Sequence, residues 1–405
     1  MSDRQDRRDR RGSGDAASDA PSTSVSRRGF LRGSAAVGIG IAATSSVDTG
    51  TLSPSGNGDV WDHLRARAAG NGYRRSLNAR TKTVPAGWYR QVTAAFEAIR
   101  RLQRAVTGVV GSFVRAGGYD EPAAVRLDVR TEQARRRASD LFADVLRELS
   151  TSVDGSVDID LDVETTGGWP PRGGSGDDDG DPAFRRVERP TDGRVSGGVA
   201  CATDSGIGTL APAMYDRDGE PFFATANHVF GARGTKRYAH FGQELSLRHE
   251  NGETAIGTVA RGNPETDPVR VRPSNGYAPH SGIRARPPAP VTGQFTQIGL
   301  ADFQARNEPL TVMGARSGQR TGTIDGENGI TSYYGDIPKR GQLKWGGRFT
   351  MSDGDSGSVN YHPDPKTTNG VLIGGFNDAR TWWPGDTYVW GTAAYQLRRR
   401  YGYHF

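Results

Sequence analysis

Glycine supplies 56 of the 405 residues, scattered among short runs of Val, Ile and aromatic residues. A chain cut up this often favours many short strands joined by turns over long helices. Hydrophobic residues make up only 34%, so part of the chain is not packed core. The length suits two ordinary domains, or one domain with extensions. The formal net charge of +6 is modest, and most Arg is interspersed with Asp. This reads as a mixed solvated surface and argues against nucleic-acid binding. Cys201 is the only cysteine, so no intramolecular disulfide can form. It lies in an apolar, turn-flanked run without a neighbouring Cys/His motif, which predicts a buried structural thiol.

The first 25 residues alternate Asp and Arg and then turn to Ser, Ala and Gly, a composition that cannot form a core. Ser26-Arg27-Arg28-Gly29-Phe30-Leu31 follows, and then an uncharged run from Gly33 to Ala43. Paired Arg, Phe-Leu and a weak apolar stretch resemble a twin-arginine export signal. The apolar run is shorter than the roughly 20 residues a spanning helix needs, and no Cys follows it for lipid attachment. Residues 1–50 are therefore expected to be a tail and signal. The exported protein is expected to be secreted, with no stable membrane insertion after signal removal.

Between residues 57 and 165 the pattern predicts a small, mainly helical region. From Trp88 to Ala116, Val92, Phe96, Ile99, Leu102, Val106, Val109 and Phe113 recur every three or four positions, and Gly117-Gly118 ends the run. A second helix is expected from about Thr131 to Leu149. Val157, Ile159, Leu161 and Val163 then alternate with Asp158, Asp160 and Asp162, a strand period. Alternate strand positions lie about 6.6 Å apart, and the Gly and terminal Glu of a calcium loop are missing. The three Asp are thus a solvated face. Residues 166–190 are rich in Gly, Pro, Asp and Arg and read as a linker. A helical module between an export signal and a downstream domain stands where a pro-region would be. The rival reading is a docking module that stays attached.

After the linker the pattern changes to short strands. Gly206 to Tyr215 can be a strand, Asp216 to Gly219 a turn, and Pro221 to Ala226 the returning strand. Thr225-Ala226-Asn227-His228 follows directly, and Gly354-Asp355-Ser356-Gly357-Ser358 stands far downstream. Each fragment alone is a weak signal. Between them lies Ala315-Arg316-Ser317-Gly318-Gln319-Arg320-Thr321-Gly322, with Gly326 beyond. The three stretches together, in this order, resemble the chymotrypsin-like (trypsin-like) serine peptidases, most closely their bacterial alpha-lytic-protease-like branch. Ala315 and Asp325 stand where that branch has a cysteine pair, and Ser358 replaces the last Gly of the usual Gly-Asp-Ser-Gly-Gly. The resemblance covers residues 191–405.

It implies an all-β peptidase domain of two packed six-stranded antiparallel barrels, with the site between them. Ser356 would be the nucleophile and His228 its base, because a hydroxyl attacks only once an imidazole takes its proton. A carboxylate must hold that imidazole. Asp267, ahead of Pro268-Val269-Arg270-Val271, fits this place. Asp302 is the competitor, but only ten residues separate it from Val312-Met313-Gly314. The N–H groups of Gly354 and Ser356 would form the oxyanion hole. Thr350 would lie at the base of the specificity pocket, and Gly374 and Gly375 in its wall. Arg316 would form a structural ion pair with Asp355. A terminal helix is expected from Ala393 to Tyr401. The implied activity is a secreted serine endopeptidase acting on a polypeptide substrate, with no metal and no organic cofactor. The alternative is a peptidase-like domain that binds peptides or partners without turnover.

Overall fold

A computed structural model of the chain describes residues 59–69, 74–152, 157–166, 183–185, 187–231, 240–332, 337–347, 349–383 and 386–405. The expected export signal and most of the expected linker lie outside the described residues. Among the described residues no helix is long and apolar enough to cross a membrane.

The elements before the linker are β1 (Asp59–Ala69), β2 (Arg74–Thr83), α1 (Ala86–Ala105), β3 (Val109–Arg115), β4 (Ala123–Val129), α2 (Glu132–Ser152) and β5 (Ile159–Thr165). The two expected helices are present, but five strands accompany them among the described residues, so the region is mixed helix and sheet and not mainly helical as expected. Helix α1 stops at Ala105 and not at Ala116, because Gly108 adopts φ 85° and turns the chain. The following Val109-Val110 are β-branched and enter a strand. The apolar spacing runs on through Val106, Val109 and Phe113, so periodicity alone carried the helix too far. Trp88, Val92, Phe96, Ile99 and Leu102 on α1 are at most 3% exposed and pack on β3, β4 and β5. Each such side chain contributes about 1.5–3 kcal/mol on leaving water. Asp158, Asp160 and Asp162 face solvent as expected, and Arg126 pairs with Asp162 at 3.3 Å.

The next elements are β6 (Arg194–Gly197), β7 (Ala200–Ala202), β8 (Ile207–Thr209), β9 (Met214–Tyr215), β10 (Pro221–Ala226), a single 3-10 turn at Asn227–Phe230, β11 (Glu244–His249), β12 (Gly252–Gly262), β13 (Pro268–Pro273) and β14 (Ala278–Ile283). Seven of these strands form one antiparallel sheet in the order β8-β7-β11-β12-β13-β10-β9. The Asp216 carboxylate accepts the N–H groups of Asp218 and Glu220, each at 3.0 Å, which folds the turn between β9 and β10. The sheet curls until the Ala211 N–H reaches the Ala224 carbonyl at 2.9 Å. Cys201, Phe223, Leu245, Leu247, Ile256, Val269 and Val271 fill it. Burial pushes the Cys201 thiol up to about 12, so it is an inert core group.

The remaining elements are β15 (Ala289–Phe295), α3 (Gln297–Ala305), β16 (Pro309–Gly314), β17 (Gly318–Thr331), β18 (Lys339–Trp345), β19 (Val359–Pro363), β20 (Val371–Trp383), β21 (Asp386–Ala393) and α4 (Ala394–Tyr401). Strands β16, β17, β18, β21, β20 and β19 pair antiparallel in a closed ring, with β19 returning to β16. Closure leaves this barrel without a free edge. Leu310, Val312, Leu343, Trp345, Leu372 and Val389 form its core. The two expected antiparallel barrels are therefore present, one closed and one curled. A shared apolar layer joins them. Met214, Phe222, Ala226 and Val229 meet Met313, Val359, Ile373 and Phe376, with Leu397 of α4 beneath.

The N-terminal region is continuous with the second barrel. Strand β3 pairs with β17, and β1 pairs with β15, so one 14-stranded sheet runs through both. Among the described residues, three ion pairs cross this junction, each with its cation from the N-terminal region. They are Arg80–Asp364 at 3.0 Å, Lys82–Asp302 at 2.6 Å and Arg115–Asp325 at 2.6 Å.

Candidate active site

Strand β10 ends at the apolar layer, and the 3-10 turn after it points Val229 and Phe230 inward and His228 outward. Across from it, Asp267 opens β13 and is 1% exposed. His228 Nδ1 and Asp267 Oδ2 are 2.5 Å apart. The Asp267 carbonyl also accepts the Asn227 N–H at 2.5 Å, so backbone and side chain both tie the two loops together. Asp267 has φ 65°, a left-handed conformation unusual for a residue with a Cβ. Asn263 holds it there. Its carbonyl accepts the Asp267 N–H at 2.7 Å, and its side-chain amide donates to the Pro268 carbonyl at 2.9 Å. Pro268 falls on the first residue of its strand, where its missing N–H is tolerated.

Asp302 lies elsewhere, on α3. It accepts from Lys82 at 2.6 Å, from Arg306 at 2.9 Å and from the Tyr119 hydroxyl. It serves the junction with the N-terminal region and makes no contact with His228. Burial works to raise its carboxyl, but the bonds from Lys82, Tyr119 and Arg306 outweigh this and hold it below the usual range.

The Ser356 loop is shaped by two left-handed glycines, Gly354 at φ 95° and Gly357 at φ 94°. A Cβ on Gly357 would come within 2.3 Å of the Thr209 carbonyl, and one on Gly354 within 2.4 Å of the Phe184 ring. The loop is pinned from both barrels. Thr209 donates its N–H to the Ser356 carbonyl at 2.9 Å and its hydroxyl to the Gly354 carbonyl at 2.9 Å. The Gly357 N–H donates to Asn377 at 2.9 Å. Among the described residues, neither the Gly354 nor the Ser356 N–H has an acceptor. Ser356 stands beside the histidine turn, since a Cβ on Gly208 would meet both Val229 Cγ2 at 2.8 Å and the Ser356 carbonyl at 3.0 Å. The Ser356 hydroxyl and the His228 ring make no hydrogen bond with one another in this structure. Such contacts are often long before substrate arrives.

Two expectations need correction. Arg316 reaches Asp355 through its backbone N–H at 2.9 Å and not through its guanidinium. The Asp355 carboxylate is fully buried and also accepts from the N–H groups of Ser317 at 3.2 Å and Ser352 at 2.8 Å. These donors satisfy it, and the chain packs so closely that a Cβ on Gly314 would sit 2.2 Å from the carboxyl carbon. The Arg316 guanidinium turns outward to the Asp353 carbonyl at 3.1 Å and lies 5.2 Å over the Phe184 ring. Gly374 and Gly375 also do not form a pocket wall. Substituents there would meet Asn360, Leu310 and Leu300, or Thr392 and Ala393, inside the barrel. Strand β20 runs on past these glycines to Trp383 and meets the Ser356 loop at Asn377, whose N–H donates to the Ser358 carbonyl at 2.8 Å. The chain beside that loop is thus Asp378–Arg380. Thr350 is buried, and its hydroxyl accepts the Gly347 N–H at 2.8 Å.

Three residues with no signal in the sequence stand at the site. Arg380 lies 3.5 Å from the Met351 carbonyl and 3.6 Å from the Asp353 carboxylate, bridging β20 and the Ser356 loop. Lys339, at the head of β18, places Nζ 2.7 Å from the second oxygen of Asp267. Burial would raise the Asp267 carboxyl, but Lys339 and His228 together hold it down at about 2. Asp378 is 3% exposed, with one oxygen accepting from Gln342 at 3.0 Å and from Thr392 at 3.4 Å. Burial, and then the charge on Asp267, push its carboxyl well above the usual range. No group of three or more metal-binding side chains is found among the described residues.

No family model and no curated protein matches the sequence. Several solved structures are similar to it over about half of its length. The Nocardiopsis protease shares 19% identity over 52% of this chain and 97% of its own, with a TM-score of 0.38. Thermobifida fusca protease A gives the same four values. A Cellulomonas bogoriensis chymotrypsin shares 18% identity over 52% of this chain and 98% of its own, with a TM-score of 0.37.

Proposed function

We propose that residues 191–405 are a serine endopeptidase domain that cleaves peptide bonds through an acyl-enzyme on Ser356. The observation that carries this reading is the buried Asp267 held against His228 at the end of β10, beside the Ser356 loop, where the Gly354 and Ser356 N–H groups have no acceptor among the described residues. His228 takes the Ser356 proton as the hydroxyl oxygen bonds to the substrate carbonyl carbon. Asp267 accepts from Nδ1, which leaves Nε2 free to receive that proton and stabilises the imidazolium. The two free N–H groups receive the negative oxygen of the tetrahedral intermediate. His228 then returns the proton to the leaving amine, and water reverses the sequence to release the acid. Every proton and bond is handled by the protein and water, so the chemistry requires neither metal nor organic cofactor.

The export signal at Arg27 and Arg28 would deliver the protein outside the cell. The region from β1 to β5 would be a pro-region docked by strand pairing, with the linker as its cleavage site. The open contact between Ser356 and His228 favours a second reading, a peptidase-like domain that binds peptides without turnover. Hydrolysis of a casein-type substrate separates the two. The endopeptidase reading predicts activity that Ser356→Ala and His228→Ala each abolish, non-additively, because the pair acts as one unit. Substantial activity in either variant, or none in the unaltered mature protein, would sink it.

A further inference from the structure

We propose that Lys339 is a positioning residue for the His228–Asp267 pair, holding the second carboxylate oxygen and, by its charge, lowering the pH at which His228 can act as a base. The role as base rests on the endopeptidase reading; the coupling itself does not.

The geometry is that of a clamp. The Asp267 side chain is 1% exposed and has two charged or chargeable partners, His228 at 2.5 Å on one oxygen and Lys339 at 2.7 Å on the other. The Lys339 side chain is 14% exposed, so water screens the contact poorly. Its backbone is fixed by register, because Lys339 pairs with Thr331 of β17, and Thr331 pairs in turn with Gly111 of β3. Among the described residues, the other groups facing this cluster are few. Asp378 comes from β20, and burial and then the charge on Asp267 push its carboxyl well above the usual range, with Lys339 acting in the opposite direction. Gln342 of β18 and Thr392 of β21 are neutral and bond to Asp378. His240 feels the Asp267 charge, while Glu265 pairs with Arg400 at 3.1 Å on the exposed side.

A buried carboxylate with an imidazole as its sole partner draws a proton onto that imidazole. A second cation on the same carboxylate cancels this pull. Hydrogen bonds to opposite oxygens put the ammonium and imidazole roughly 6 Å apart. At an effective dielectric of about 20–40, unit charges at that separation move a titration by on the order of one to two pH units. The sign is definite. Lys339 disfavours the imidazolium, so the site keeps a neutral His228 to lower pH than it would without the lysine.

The test reads the imidazole directly. In the full-length chain carrying Ser356→Ala and labelled at histidine, the His228 resonance is titrated by NMR with Lys339 intact, Lys339→Met, Lys339→Gln and Lys339→Arg. The proposal expects the midpoint to rise by about one pH unit or more in Met and Gln and to return in Arg. Gln keeps a donor toward Asp267 without the charge. A midpoint restored by Gln as well as by Arg would make the contact merely structural and overturn the proposal, as would no movement in either neutral variant. Folding is checked by circular dichroism, and failure of both neutral variants to fold also counts against a positioning role. A parallel series with Ser356 intact follows the rate of fluorophosphonate labelling against pH. There the acid limb should move up by the same amount in Met and Gln. No labelling at any pH would defeat the endopeptidase reading and leave the NMR result to decide on Lys339.

Discussion

Replacing Asp355 with Ala removes the acceptor of three backbone N–H groups, those of Arg316 at 2.9 Å, Ser317 at 3.2 Å and Ser352 at 2.8 Å. The carboxylate is fully buried, so water does not readily take its place. Each orphaned donor costs about 1–3 kcal/mol, which sums to about 3–6 kcal/mol after partial relaxation. That approaches the whole stability of an ordinary domain, about 5–15 kcal/mol. Arg316→Ala leaves all three of those backbone donors in place. The contacts it loses include a guanidinium lying 5.2 Å over Phe184 and a 3.1 Å bond to the Asp353 carbonyl. Together these are worth about 1–2 kcal/mol. Urea unfolding of both variants measures the difference, and fluorophosphonate labelling of Ser356 measures whether the loop keeps its shape. Asp355→Ala should be the more damaging by several kcal/mol and should lose labelling, while Arg316→Ala keeps it. An Arg316→Ala protein as unstable as Asp355→Ala would show that the guanidinium, and not the turn backbone, satisfies this carboxylate.

Asp267→Asn should lower turnover on a casein-type substrate by about 10⁴-fold through the wrong imidazole tautomer. Asp302→Asn should leave turnover within a few-fold and lower the unfolding midpoint, because Lys82 and Arg306 lose their ion pairs with this carboxylate; the reverse pattern would reassign the carboxylate. Asp267 and Asp364 are each held at about 2, and Asp302 and Asp325 also lie below the usual range. Folded values below unfolded ones mean stabilisation that is present above about pH 4 and lost as pH falls toward 2. Urea midpoints should therefore drop steeply across that window, with the N-terminal junction opening to limited proteolysis; a flat profile would contradict the ion pairs. Changing Arg27 and Arg28 together to Lys should keep the protein inside the cell, and unchanged secretion would remove the basis for the export reading.

The parts legible in the sequence are those with local causes. The turn at Asp216–Gly219, the alternation in β5 and the glycines flanking Ser356 each act over a few residues, and the motifs around His228 and Ser356 mark those two residues directly. The end of α1 was misread because Val106, Val109 and Phe113 keep helical spacing across Gly108, and only the left-handed φ of that glycine breaks it. The pocket wall was displaced because the length of β20 depends on pairing with β19 and β21, including irregularities near Asn360 and Asn377. For Asp355 the sequence pointed to the right neighbour, but the choice between a guanidinium and a backbone N–H is made by space around Gly314. Lys339 was invisible for a different reason. It stands 72 residues beyond Asp267 in a stretch without any motif, and only barrel closure brings them together.

The central claim is that Ser356 is an activated nucleophile. Incubating the mature protein with a fluorophosphonate probe and locating the adduct by peptide mass spectrometry tests this most directly. The account predicts a single adduct on Ser356 that is absent from Ser356→Ala and strongly slowed in His228→Ala. An unlabelled protein, or equal labelling of the His228→Ala variant, would contradict it.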